Sequence, residues 1–224
     1  MRAWTEPDTR QDVAATFARE FALAGTMAPG DGILHAWLPQ PTILFTQRDT
    51  RAPGYAQAAA EAAAMGYAPV VRVSGGEAVP LDHGTVCVDL LLPGEALALR
   101  PSFDALAEAI TTAVAHLGLT AAVGRVDGAY CPGDYDIAVA GRKFAGLAQR
   151  RTQKAIAVHS FVLVEGPGRP RCEVAARIAA ALALAGPAPA QEPCPVTSLA
   201  EAVRHPLRTT DLLRAIEATW GEKA

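Results

Sequence analysis

The chain has 224 residues, half of them hydrophobic and 19% charged. This composition excludes an intrinsically disordered chain and allows a core without disulfide or metal staples. Lys plus Arg number 20 and Asp plus Glu 23, a formal net charge of −3, so no global charge draws the protein toward nucleic acid or an anionic membrane. The N-terminus carries acids and a proline where a secretory leader needs an apolar run. The nearest approach to a membrane span, Ile178 to Ala190, is short and broken by Gly186, Pro187 and Pro189. The expectation is a soluble, cytoplasmic protein. Its cysteines, Cys87, Cys131, Cys172 and Cys194, are scattered, with no C-x-x-C and no histidine at ligand spacing. That pattern is neither a disulfide framework nor a zinc site, and no metal is expected.

In chain order, apolar positions Val13, Phe17, Phe21 and Ala24 predict a helix over Gln11–Ala24. The runs Ile33–Leu38 and Thr42–Thr46, split by Pro39-Gln40-Pro41, read as strands. An alanine-rich helix, Gln57–Met65, stops at Gly66, and a strand over Pro69–Val73 runs into Ser74-Gly75-Gly76. Thr85–Leu92 is a strand, and Ser102 caps a helix that ends before Gly118. A loop over Gly124–Tyr135 precedes strands Asp136–Val139 and Arg142–Leu147, joined by the tight-turn pair Ala140-Gly141. A strand over Ile156–Glu165, a helix over Glu173–Ala185 and a proline-rich linker over Gly186–Pro195 follow. Thr197 or Ser198 with Glu201 forms a capping box for a short helix, and Thr209 or Thr210 caps the last, running to Trp220. Hairpins without regular β-α-β alternation imply α+β, with a mixed, largely antiparallel sheet flanked by helices. The chain reads as one domain, 1–224, with 196–224 as a helical appendage.

Three segments use residues that a plain core does not need. In Arg72-Val-Ser-Gly-Gly-Glu-Ala-Val79 a strand delivers the backbone into glycines that can lie close to a ligand, with Arg72 adding donors. Alone, the pattern reads more readily as an ordinary Gly-Gly turn. In Tyr130-Cys-Pro-Gly-Asp-Tyr-Asp136 the loop position of Cys131 suits a nucleophile near a cation, although most cysteines are inert. In Gly141-Arg-Lys-Phe-Ala-Gly-Leu-Ala-Gln-Arg-Arg151, strand alternation places Phe144 in the core and Lys143 with Ala145 on the other face. Gln149-Arg150-Arg151 is a basic patch or a solvated strand end. A triad of Ser74, Asp82 and His83 has little to support it, and mid-strand His159 reads as a satisfied core histidine.

In this order the segments resemble the lipoate–protein ligase and octanoyltransferase superfamily. Arg72-x-Ser-Gly-Gly-x-Ala-Val79 with Asp82-x-Gly84 is similar to its lipoyl-binding segment, and Asp136-Ile-x-x-x-Gly-Arg-Lys-Phe-Ala-Gly-x-Ala-Gln149 to its acyl-site lysine segment. Leu81 stands where the ATP-dependent ligases carry a histidine. The Tyr-Cys-Pro-Gly-x-Tyr-Asp loop and Asp49-x-Arg-x-Pro53 instead resemble the branch that transfers octanoyl from the glycine cleavage H protein.

The resemblance implies the fold of the biotin/lipoate protein ligase catalytic domain. It implies octanoyl or lipoyl transfer onto a carrier lysine through a Cys131 thioester, with Lys143 beside the thiol favouring thiolate and oxyanion. Arg72, Ser74, Gly75, Gly76, Ala78, Val79 and Gly146 would bind the acyl group. No cofactor is required; ATP enters only if the chain is a ligase. The implied partners are lipoyl-domain carriers (the glycine cleavage H protein, 2-oxoacid dehydrogenase E2 subunits), with acyl carrier protein as an alternative acyl donor, and neither nucleic acid nor membrane. An ATP-dependent lipoate ligase and a non-catalytic acyl-binding homologue are the competing readings.

Overall fold

The computed structural model describes residues 2–94, 98–186, 192–203 and 206–220. Part of the proline-rich linker, 187–191, and the final residues 221–224 lie outside the described residues. The elements run β1 Arg2–Gln11, α1 Val13–Ala24, β2 Ile33–Pro39, β3 Thr42–Thr46, a 3-10 turn Asp49–Arg51, α2 Tyr55–Ala64, β4 Ala68–Arg72, β5 Val79–Leu81 and β6 Thr85–Pro93. They continue with α3 Leu99–His116, β7 Ala122–Val123, β8 Asp136–Val139, β9 Arg142–Arg151, β10 Ala155–Leu163, α4 Gly168–Leu182, α5 Leu199–Val203 and α6 Thr209–Trp220.

Seven strands form one sheet in the order β1-β2-β6-β10-β9-β8-β7, and β4-β3-β5 form a second. The β1–β2 and β3–β4 pairs are parallel and the others antiparallel, as the α+β reading expects. β1 was not expected, because its sequence is polar and contains Pro7. An edge strand tolerates both, and the pairing with β2 shifts register between Glu6 and Arg10, around the proline.

Helices α3 and α6 cover one face of the large sheet, burying Leu106, Ile110, Leu212 and Ile216 with Leu90, Phe144 and Val158. The small sheet packs on the other face through alternation along β3. Leu44 joins Val79, Leu81 and Trp37, while Ile43 and Phe45 meet Ala58 and Ala62 of α2 and Ile178 of α4. Among the described residues no helix is long and apolar enough to cross a membrane.

Three local expectations are corrected. Helix α3 begins at Leu99, so Ser102 is not its cap; its hydroxyl bonds the carbonyls of Ala98 and Leu99. Pro101 sits within the first turn, where a missing N–H costs nothing. Helix α4 likewise starts at Gly168, with Pro170 in its first turn. On α1 the fully buried positions are Val13, Thr16, Glu20 and Ala24, not the phenylalanine stripe. Glu20 is accommodated because its carboxyl meets His35 Nδ1 at 2.6 Å. Burial pushes the Glu20 carboxyl well up and His35 down to about 4, which favours a neutral acid beside a neutral imidazole. His159 is a satisfied core histidine, 3.1 Å from Asp89 Oδ1; Asp89 also accepts from Trp37 Nε1.

Candidate active site

The β8–β9 hairpin turns through Ala140 and Gly141, both at positive φ (49° and 74°), the geometry that a two-residue hairpin requires. Its ladder is irregular. Ile137 pairs with Ala145 and Ala138 with Lys143, leaving Phe144 as an extra residue on β9. Such a bulge breaks the two-residue alternation and corrects the expectation that Lys143 and Ala145 share a face. Phe144 and Ala145 both enter the core, and Lys143 lies against Gly146, where a Cβ would stand 3.0 Å from its Nζ. The main chain of Lys143 is held by a second element. Its N–H donates to Pro195 and its carbonyl accepts from Thr197, each at 2.8 Å.

Lys143 is 6% and Asp136 1% exposed, and they form an ion pair at 2.7 Å. A buried ammonium needs such a partner and further acceptors. Lys143 Nζ also donates to the carbonyls of Cys131 (2.7 Å) and Tyr130 (3.2 Å). Asp136 Oδ2 accepts the N–H groups of Val126 and Gly133, both at 3.1 Å. The Asp136–Lys143 pair thus pins the cysteine loop from both sides. Cys131 sits at its apex with φ 47°, a left-handed conformation that a non-glycine residue holds only when its surroundings enforce it.

The thiol points at the Ser74-Gly75-Gly76 turn. Cys131 Sγ accepts from the Glu77 N–H at 3.1 Å and lies 3.9 Å from Arg72 Nη2, which itself donates to the Glu77 carbonyl at 2.9 Å. In return Glu77 Oε2 accepts the Cys131 N–H at 3.2 Å. Arg72 is buried; burial lowers its hold on its proton, and negative charge on Cys131 opposes this. The expectation paired the thiol with Lys143. Among the described contacts the thiol's cation is Arg72, while Lys143 bonds the Cys131 carbonyl.

These groups open into a cavity of about 440 Å³, within the range of small-molecule sites. Arg72, Gly75, Gly76, Val79, Cys131, Lys143 and Gly146 line it, and Phe103, Leu147, Phe161 and Leu163 supply apolar wall. Two expected binding residues lie elsewhere. Ser74 is buried behind the turn, and Ala78 packs toward Phe45 and lines a second cavity, of about 340 Å³, against α4. Ser74 precedes the glycines and Ala78 follows them, and neither lines the first cavity. Sequence reasoning missed Asp136 as a site group and Glu77 as a thiol neighbour. The family-like segments contained both residues, but their contacts depend on two loops meeting. Cys172 and Cys194, set aside as separate thiols, lie with their sulfurs 2.9 Å apart. Ser74, Asp82 and His83 form no triad: Asp82 instead pairs with Arg171 at 2.8 Å.

The lipoyl protein ligase A/B catalytic domain family matches residues 12–221. An octanoyl-[GcvH]:protein N-octanoyltransferase of Geobacillus kaustophilus is 33% identical over 74% of this chain and 60% of its own length. One from Exiguobacterium sibiricum is 32% identical over 88% of this chain and 74% of its own length. The match to the first therefore spans less than two thirds of that relative. In fold, the chain is similar to a bipartite lipoate protein ligase from Thermoplasma acidophilum (TM-score 0.68, 17% identity, 99% of this chain and 82% of that one). It is also similar to a lipoate-protein ligase A bound with ATP (TM-score 0.64, 17% identity, 99% and 84%).

Proposed function

The chain belongs to the lipoyl protein ligase A/B catalytic domain family, and on that footing we propose that it transfers an octanoyl group between carrier proteins through a thioester on Cys131. The observation that carries this reading is a loop cysteine whose sulfur meets an arginine and a backbone N–H at the mouth of an apolar cavity beside a buried lysine. The relatives' names supply the acyl group and the H-protein donor; lipoyl domains of 2-oxoacid dehydrogenase E2 subunits are the proposed acceptors.

The chemistry follows from the contacts. The Cys131 thiolate, held by Arg72 and the Glu77 N–H, attacks the donor's acyl carbonyl. Negative charge collects on the carbonyl oxygen, and Lys143 Nζ is the ammonium poised beside the loop to offset it. The bond to the donor carrier breaks, and the carrier's nitrogen leaves as the amine with a proton taken from water. The octanoyl chain lies in the cavity, where each buried methylene contributes about 0.8 kcal/mol. An acceptor lysine then attacks the thioester carbon, and the sulfur leaves as the thiolate it began as. No ATP enters, because the acyl group arrives already joined to a carrier.

Intact mass spectrometry after incubation with octanoyl-loaded H protein, or with octanoyl–acyl carrier protein, tests the reading. One added octanoyl group, removed by hydroxylamine and absent in Cys131→Ala, is the expected result. Acyl transfer that needs ATP and survives in Cys131→Ala would establish a ligase instead.

A further inference from the structure

We infer that Glu77 receives the ammonium of the incoming acceptor lysine and takes its proton before attack on the acylated Cys131; this rests on the thioester reading above. An octanoyl chain that fills the first cavity leaves the nucleophile needing its own approach. Glu77 stands between the two cavities. Its N–H touches the reacting sulfur and one carboxylate oxygen holds the Cys131 N–H, while the residue also lines the second cavity. Tyr130 walls both cavities, so the second adjoins the cysteine loop from its far side.

The second cavity suits a lysine side chain. Ala175, Ala179 and Leu182 of α4 offer apolar wall for a four-carbon stem, and Glu77 offers charge for its ammonium. The other nearby carboxylates are committed. Asp136 serves Lys143 and two N–H groups, and Asp49 serves the N–H and hydroxyl of Thr46. Glu77 Oε1 faces Arg48 at 3.9 Å, beyond hydrogen-bond length, and the side chain is 55% exposed. It therefore keeps acceptor capacity and a path to solvent.

The step balances. The acceptor's ammonium gives one proton to Glu77, and its nitrogen lone pair attacks the thioester carbon. The C–N bond forms, the C–S bond breaks with its electron pair on sulfur, which leaves as the thiolate, and the second nitrogen proton goes to water. Glu77 then releases its proton to water.

The test compares wild type with Glu77→Gln, which keeps the backbone N–H and an oxygen for the Cys131 N–H. Both are loaded from a small octanoyl thioester, whose departing sulfur needs no proton from Glu77, then discharged in single turnover by a lipoyl-domain lysine or by hydroxylamine, a nucleophile already neutral near pH 7.5; loading from the octanoyl-lysine of H protein, the reverse of the lysine step, should fall with lysine transfer. Glu77→Gln should load within about twofold of wild type and discharge to hydroxylamine equally, while transfer to lysine falls roughly 10²-fold, the scale of general base catalysis. Lysine transfer at the wild-type rate, or an equal fall with both nucleophiles, overturns the role of Glu77. A wild-type protein that never gains the acyl group overturns the thioester reading itself, and this inference with it.

Discussion

Gly76 is where a single methyl group should separate loading chemistry from folding. Its φ is +106°, and a Cβ there would stand 2.8 Å from Cys131 Sγ and 2.7 Å from Arg72 Nη2. Neither neighbour has easy room to move. Arg72 is buried and tied to the Glu77 carbonyl, and Cys131 is fixed at φ 47° by the pinned loop. In Gly76→Ala the backbone conformation costs about 1–3 kcal/mol. For a chain of this size that lowers the melting temperature by roughly 2–12 °C, at about 2–4 °C per kcal/mol. Relief of the contact moves the thiol by most of an ångström, and misplacement of about 1 Å in a reacting group costs roughly 10²-fold in rate. Loading, followed by intact mass against time, should therefore fall far more than stability read by scanning calorimetry. Gly75→Ala is the control: it lines the same cavity, but a Cβ there meets nothing within 4 Å. It should load near the wild-type rate. Wild-type loading in Gly76→Ala, or equal losses in both variants, would refute the reasoning.

Further outcomes are open to measurement. Cys131→Ala should abolish the hydroxylamine-sensitive adduct while keeping the wild-type melting temperature to within a few degrees, because only a half-buried thiol is lost. Asp136→Asn leaves the Lys143 ammonium without its carboxylate, which costs about 3–5 kcal/mol for a buried pair. Asp136→Asn combined with Lys143→Met should cost less than the sum of the single changes by denaturant unfolding. His35 contributes to acid sensitivity. Its buried imidazole titrates near 4 and the unfolded one near 6.5, so stability falls as pH drops from 6.5 toward 4, by about 2 kcal/mol at pH 5. Glu20, whose folded pKa is raised, acts oppositely: its stabilisation is full below about 4.5 and is lost as pH rises. Urea midpoints at pH 7 and pH 5 should differ less in His35→Gln than in wild type; an unchanged difference would remove His35 from the account.

The division between what the sequence discloses and what it withholds follows the range of each interaction. Strands Thr42–Thr46 and Asp136–Val139 are legible to the residue, because flanking prolines and an Ala-Gly turn are local signals. The glycines at 75 and 76 and the loop position of Cys131 are legible as unusual, and the family-like order of the segments turns that into chemistry. The partner of the thiol is not legible. Lys143 follows Cys131 by only twelve residues, so sequence proximity argues for it, whereas Arg72 comes from the other sheet. A one-residue bulge at Phe144 then turns the lysine toward Gly146 and Asp136, and no periodicity announces a bulge. The same holds for Glu77, which is one residue of a turn until the turn is docked against Cys131. Candidate site groups drawn from separate loops are brought together by the tertiary packing of β3–β5 on the large sheet. Substitutions in that packing, such as at Leu44 or Val79, should therefore disturb the Arg72–Cys131 contact without touching either residue.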